Sequence, residues 1–380
     1  MPTRLAVARK SRGWTQDQLL RAVRQRARLD DLELPPDATL RVSLSRWENG
    51  RHQPGPLYQR LLAEVLEVTD ADLGFAATPR PHRPPPLPAG PELVAYLDAV
   101  LVQHIQADRL IGSSCLIGVV VEQLKIIELC LTDIRSTVRP DFLRLGNRYA
   151  EFCGWLNQDQ GRYSEAEAWT RKAVDFAQAL DDPQLVSYTL MRRSNIATDA
   201  GHAHDALMLA ESALRQRPLT SGLRAVALRQ KAAAHALLGD QQGYRQSVDD
   251  GLDCASQHDA LSLLTGYCTI SYMKMEAGAA AIELQQQRLA TQLLTDADDT
   301  WPQGHERDHA LCLARLAQAH ASARNPDQAC IAGRRAVQAA VLAPSARTIS
   351  TLRVLRGALS RYRTQPDVAD LRRAISEAAS

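Results

Sequence analysis

Apolar positions in residues 1–76 recur at helical spacing and are cut into four short runs by turn-forming residues. The first runs from Thr3 to Ser11 and stops before Gly13. The second starts at Thr15, whose hydroxyl is placed to cap a helix with Gln18 three residues on, the spacing of a reciprocal capping box. The third lies within Thr39–Pro54. On a wheel of about 100° per residue, Leu40, Ser43, Leu44 and Trp47 share one arc, while Arg41, Val42, Ser45, Arg46 and Asn49 share the opposite one. Asn49-Gly50 tolerates left-handed backbone and stops the helix, and Pro54 prevents its resumption. A fourth run covers Pro56 to Leu66. Helix, Gly-containing turn, capped helix, longer connection and sharply ended amphipathic helix is the order of a helix-turn-helix domain.

After Leu73-Gly74-Phe75 the pattern stops. Ala77 to Pro91 contains Pro79, Pro81, Pro84, Pro85, Pro86, Pro88 and Pro91, so it is expected to be an extended spacer or a ligand for an aromatic groove. From Glu92 to the end helical patterning returns, with Gly161, Gly201, Gly239 and Gly278 at roughly forty-residue intervals, each expected between two helices. The repeating units read as Tyr149–Gln178, Tyr188–Pro218, Ala225–Ala255, Thr265–Leu294, His309–Ala340 and Thr348–Ala378. Small residues (Gly154, Ala166, Ala173, Ser194, Ala206, Ala213) let paired helices approach closely. The expected division is 1–76, 77–91 and 92–380, and the fold class all-α: a helix-turn-helix domain followed by an α-solenoid of helix pairs.

Composition supports this reading. Only 5% of residues are aromatic while alanine and leucine abound. The net charge of +2 conceals an asymmetry: residues 1–60 hold twelve arginines or lysines against six acidic residues, so the basic charge sits in the first domain. That is the electrostatic footprint of a nucleic-acid-binding module on a body that does not bind nucleic acid. The seven cysteines form no Cys-x-x-Cys pair and read as buried apolar residues in a reducing cytoplasm. No secretory leader is apparent. The most apolar run, Leu116–Leu131, is interrupted by Glu122, Lys125 and Glu128 and is expected to be an amphipathic helix rather than a membrane span.

Catalytic chemistry finds no constellation. There is no phosphate-binding Gly-Lys-Ser/Thr loop, no dinucleotide-binding Gly-x-Gly-x-x-Gly turn and no Gly-x-Ser-x-Gly elbow. His305, His309 and Cys312 would share a helix face at metal-ligand spacing but lack a fourth ligand nearby, and their place at a helix start explains them without a metal. No enzyme activity, cofactor or metal is expected.

Two resemblances extend this reading. Arg9, Gly13, Thr15-Gln16, Leu19, Ser45-Arg46-Trp47-Glu48-Asn49-Gly50 and Pro54 resemble the lambda-repressor-like, or XRE-type, helix-turn-helix regulators, although Arg28–Ala38 is longer and more acidic than that family's turn. The resemblance implies duplex DNA as partner, with Arg41, Val42, Ser45 and Arg46 at base edges and Gln16, Asn49 and Arg51 on phosphates. It also implies an ion pair between Arg9 and Glu48. The turn Gln160-Gly161-Arg162-Tyr163-Ser164-Glu165-Ala166 with its flanking helices resembles the tetratricopeptide repeat, at a period longer than that family's. Its inward-facing positions fall on Arg148, Glu151, Trp155, Gln158, Tyr188, Met191, Asn195, Arg229 and Tyr272, which form either a ligand groove or filling between repeats. The combination resembles bacterial, notably actinobacterial, regulators. It implies a homodimeric cytoplasmic transcriptional regulator whose repeats sense a signalling peptide or small ligand; the alternative is an interaction scaffold that holds a protein partner and is only localised by its DNA-binding head.

Overall fold

Eighteen α-helices and two 3-10 turns make up the regular structure in a computed structural model that describes residues 3–29, 32, 34–75, 89–133, 137–257, 262 and 264–378; no strand occurs among them. The chain divides into two compact units, Met1–Pro85 and Pro86–Ser380. Most of the proline-rich stretch, like Asp30, Asp31 and Glu33 of the acidic connection, lies outside the described residues. Pro91, read as the last spacer residue, is instead the first residue of a helix, where its missing N–H has no partner to lose.

The first unit holds α1 (Arg4–Ser11), α2 (Gln16–Leu29), α3 (Asp37–Glu48) and α4 (Pro56–Leu66). Local chemistry sets their ends. Thr15 Oγ1 accepts the Gln18 N–H at 3.2 Å while Gln18 Oε1 accepts the Thr15 N–H at 2.7 Å, the full reciprocal cap. Helix α3 begins two residues before Thr39, with Asp37 in its first turn facing the positive end of the helix dipole. It ends where Gly50 takes φ +68°, a left-handed conformation costly for any residue with a Cβ. Leu5, Leu19, Leu40, Leu44, Leu61, Leu62 and Leu66 form the core, and Trp47 packs on Tyr58 with ring centroids 4.9 Å apart.

The second unit opens with α5 (Pro91–Ile111) and α6 (Ile117–Asp133). Six helix pairs follow: α7/α8 (Arg139–Asp159, Tyr163–Ala179), α9/α10 (Pro183–Asp199, Ala203–Arg215), α11/α12 (Ser221–Leu237, Gln241–Ser256), α13/α14 (Ile270–Glu283, Gln287–Asp299), α15/α16 (Glu306–Ser322, Pro326–Leu342) and α17/α18 (Ala346–Ala358, Pro366–Ala378). Helix α6 buries one face through Val120, Leu124 and Ile127 and leaves Val119 and Leu129 exposed.

Three of the four periodic glycines occupy the expected turns: Gly161, Gly201 and Gly239 have φ of 72°, 77° and 75°. Gly278 does not. It lies inside α13, where a Cβ would meet Leu294 Cγ at 2.6 Å, and the left-handed turn of that pair is supplied by Gln285 at φ 56°. Gly154 plays the same close-packing part in α7, its Cβ position lying 2.2 Å from Thr170 Oγ1. Thr170 is β-branched and bonded to the Ala166 carbonyl at 2.8 Å, so it has little room to retreat. Gly154→Val is therefore expected to cost about 1–3 kcal/mol or more through overpacking, read as a lowered thermal midpoint; an unchanged midpoint would show that the pair can spread.

At every step of the stack the odd-numbered helices from α7 to α17 contact one another more closely than the even-numbered ones do. The stack therefore curves with its odd-numbered helices inside. The curvature is strong enough to bring α5 and α7 side chains against those of α15 and α17: Arg307 Nη1 lies 2.6 Å from Asp108 Oδ2 and Arg307 Nη2 lies 3.2 Å from Asp159 Oδ2.

Candidate functional site

In the first unit, the geometry is organised by Glu48 at the end of α3. Its carboxylate is buried and accepts Arg9 Nε at 2.5 Å, Arg9 Nη2 at 2.9 Å and Gln16 Nε2 at 2.8 Å, while its backbone carbonyl accepts Thr3 Oγ1 at 2.9 Å. Arg9 Nη1 continues the network to the Trp14 carbonyl at 2.5 Å. Burial by itself would raise the pKa of Glu48, but the bonds from Arg9 and Gln16 outweigh it and hold the acid below its ordinary range. One residue thus ties α1 and α2 to the C-terminal end of α3.

With that end fixed, the outer side of α3 presents Arg41, Val42 and Arg46 to solvent, with Ser45 half-buried among them. Asn49 turns its amide back to the Ser45 carbonyl at 2.7 Å, and Arg51 is exposed just beyond. Gln16, expected on a phosphate, has one amide N–H committed to Glu48. Arg41 is paired with Asp17 at 2.8 Å, but both side chains are 59% exposed, and such a surface pair is worth at most about 1 kcal/mol and exchanges readily for another anion.

In the second unit the structure brings four of the nine expected groove residues together around one that sequence reasoning missed. Arg192 on α9 donates from Nε to Glu151 at 2.6 Å, from Nη2 to Gln158 Oε1 at 2.8 Å and from Nη1 to Asn195 Oδ1 at 2.7 Å, and its guanidinium lies 5.4 Å from the Trp155 ring. Gln158 Nε2 bridges Asn195 Oδ1 at 2.9 Å and Asp199 Oδ2 at 2.6 Å. Arg192 lies one turn from Tyr188 and Asn195, so a helical wheel through those two would have found it. Farther along the stack Arg229 donates from Nη1 to the Tyr272 hydroxyl at 2.9 Å and lies 5.4 Å from its ring, with Tyr267 edge-on to Tyr272 at 5.2 Å. Glu276 accepts Arg315 at 2.9 Å. Two expected groove residues are placed differently. Met191 has no exposed surface and fills the space between pairs, and Arg148 pairs with Asp98 on α5.

The charge states on this face are defined by their neighbours. Burial pushes the Tyr267 phenol up to about 12 and Tyr188 and Tyr272 upward too, so all three are neutral donors at physiological pH. Burial would raise Glu276, but Arg315 and Arg229 hold it down at about 2, an anion. Asp199 is open to water, yet the surrounding walls exclude enough solvent to raise its pKa.

A second feature invisible to local reading is the seam where the curved stack meets itself. Asp108 and Asp159, both buried, share the Ser113 hydroxyl at 2.7 and 2.8 Å, Asp108 accepts Trp155 Nε1 at 3.1 Å, and both receive Arg307. Arg347 lies 4.7 Å from the Trp155 ring and pairs with Asp308 at 3.2 Å.

No protein-family model matches the chain, and no curated protein matches it. Solved structures that do match include the Rap protein complexed with competence and sporulation factor, 12% identical over 76% of this chain and 97% of that one, with a TM-score of 0.46. Another is the TPR2AB-domain complex of yeast Sti1 with pHSP90, 11% identical over 77% of this chain and 100% of that one, with a TM-score of 0.25. The fold follows from the helix pairing itself. The body is a solenoid of tetratricopeptide-like helix pairs. Its six pairs begin at Arg139, and Gln158, Arg192, Asn195 and Arg229 lie on their inner helices. Among the described residues no three His, Cys, Asp or Glu side chains are grouped to hold a metal ion, and none of the helices is long and apolar enough to cross a membrane. His309 bonds Asp298 at 2.7 Å and stacks on Trp301, and Cys312 faces the Leu294 carbonyl.

Proposed function

We propose that this chain is a DNA-binding protein whose solenoid holds a peptide, or an extended segment of a protein partner, on its concave face. The observation that carries the reading is the array of Arg192, Gln158, Asn195 and Arg229 set among Trp155, Tyr188, Tyr267 and Tyr272. Aromatic walls supply contact area, and a few fixed amides and guanidinium groups match the donors and acceptors of an extended backbone. The first unit supplies the DNA contact in this reading: Arg41, Val42, Ser45 and Arg46 face base edges while Gln16, Asn49 and Arg51 reach phosphates. A homodimer would present two heads to a two-fold-related site, and ligand binding would regulate transcription by shifting the solenoid between curvatures that suit different head spacings.

Exposed apolar side chains on α5 favour a second reading, a scaffold for a protein partner: Tyr96, Leu110 and Ile111 are 62%, 77% and 58% exposed. The two readings separate on the head. Selection of random duplex DNA by the full chain is expected to enrich a sequence with two half-sites, and Arg46→Ala is expected to cost about 1–3 kcal/mol at that sequence while leaving weak, salt-dependent binding to random DNA. Equal losses on selected and random duplexes would remove the base contact, and no enrichment by the unaltered chain would leave the scaffold.

A further inference from the structure

Helix α5 is apolar on two sides and covered on one. Leu97 and Leu101 sit in the core of the second unit, where the helix rests on α7 and touches α6 only lightly. Its other side leaves Tyr96, Val102, Ile105, Leu110 and Ile111 exposed. A helix that is apolar all round belongs inside a larger assembly, because its uncovered side gains nothing from water. Two properties of that side describe what covers it. Of its described residues exposed between Ala95 and Leu110, none carries a carboxylate, ammonium or guanidinium group. The sizes are also graded: on a helical wheel of about 100° per residue, the exposed Ala95, Ala99, Gln106 and Leu110 mark the midline, with Tyr96 and Gln103 on one flank and Val102 on the other. The midline therefore runs from small residues to large.

Resting on the homodimeric reading above, we propose that this side of α5 is covered by α5 of a second copy, the two helices running antiparallel about a two-fold axis. A patch that pairs with itself across such an axis meets its own charges again, so an uncharged patch suits self-association and offers a foreign partner's charged groups no counter-charge. Antiparallel pairing also accommodates the size gradient. It sets Leu110 of each copy over Ala95 of the other and Gln106 over Ala99, so that large residues fill the room that small ones leave. A parallel pair would set small on small at one end and crowd large on large at the other. The chain outside the described residues agrees. Residues 76–88 join the first unit to the N-terminal end of α5, and a helix of 21 residues is about 31 Å long. In the antiparallel pair the two points of attachment are therefore about 31 Å apart along the helix axes, near the roughly 34–36 Å between half-sites one helical turn apart on DNA.

Analytical ultracentrifugation of the full-length chain is the test, with Tyr96→Glu/Leu110→Glu beside the unaltered protein. Both positions are exposed, so the variant is expected to keep its helical content and thermal midpoint. The like charges it sets opposite each other are expected to weaken the dimer by roughly a hundredfold or more. Leu342→Glu, at an exposed apolar site on α16, is expected to change nothing. Mixing the doubly acidic variant with Tyr96→Lys/Leu110→Lys is expected to restore a dimer containing one chain of each, an outcome that a merely destabilised α5 would not give. Cys115 is exposed, so orientation is read in a Cys115→Ser background. There, Ala95→Cys and Leu110→Cys chains are expected to cross-link to each other under mild oxidation and neither to itself; self-linking of Leu110→Cys would overturn the antiparallel arrangement. A dimer that persists in the doubly acidic variant would overturn the α5 contact while leaving the homodimer in place. An unaltered chain that is monomeric at every concentration would overturn both and leave the outer side of α5 to a foreign partner.

Discussion

Glu48→Ala unfolds the first unit and leaves the solenoid folded. The substitution removes the acceptor for two Arg9 bonds and the Gln16 amide together, and leaves the Arg9 guanidinium, itself 8% exposed, with the Trp14 carbonyl alone. Breaking a buried pair by deleting one partner costs about 3–5 kcal/mol, against a total of about 4–11 kcal/mol for a unit of this size. Hydrogen exchange on the full chain checks it: amides of α1–α4 should lose protection while those of α7–α16 keep theirs. Replacing both partners by apolar residues, as in Arg9→Met with Glu48→Leu, should restore much of the protection, because no charge then remains buried alone. Glu48 titrates below its ordinary 4.5 in the folded state, so the pair's contribution is complete above that value and fades as pH falls through the depressed one. Protection retained in Glu48→Ala would mean that leucine packing alone holds α3 in place.

Asp108→Asn with Asp159→Asn opens the solenoid. The two carboxylates receive Arg307 from α15, which lies across the concave face from α7, and the guanidinium groups of Arg307 and Arg347 flank Trp155 at 5.8 and 4.7 Å. Neutralising both acids leaves Arg307 without a counter-charge in a place where it is only 12% exposed, a penalty of several kcal/mol by the same reasoning. That penalty is relieved when the ends part and water enters. The expected result is a larger radius of gyration in solution scattering, with helical content unchanged. Adding Arg307→Gln should reverse part of the expansion, since paired groups couple non-additively. Moderate salt should have little effect on the unaltered chain, because buried pairs are weakly screened. A scattering profile identical to that of the unaltered chain would mean that helix packing alone sets the curvature.

Much of the architecture was legible one segment at a time. Thr15 and Gln18 cap α2, Gly50 ends α3 and Pro56 begins α4, because each acts on backbone groups within four residues of itself. The tetratricopeptide-like turns at Gly161, Gly201 and Gly239 were readable for the same reason. Gly278 was misread because glycine serves two purposes, left-handed turns and close helix approach, and spacing by itself does not tell them apart. The inner face was legible only in part. Glu151, Trp155, Gln158 and Asn195 come from the resemblance to the tetratricopeptide repeat and its inward-facing positions, but that they converge on Arg192 depends on how α7 packs against α9.

The sequence by itself therefore determined the helices, their pairing into repeats, the basic outer side of α3 and the partnership of Arg9 with Glu48. These rest on local backbone chemistry, on periodicity, or on a motif compact enough to be recognised. Only the tertiary structure decided the seam of Asp108, Asp159 and Arg307 and the burial of Met191. The physical reason is accumulated curvature: small rotations at each helix pair add along the stack, and only their sum brings Arg307 to Asp108, residues 199 apart in the chain.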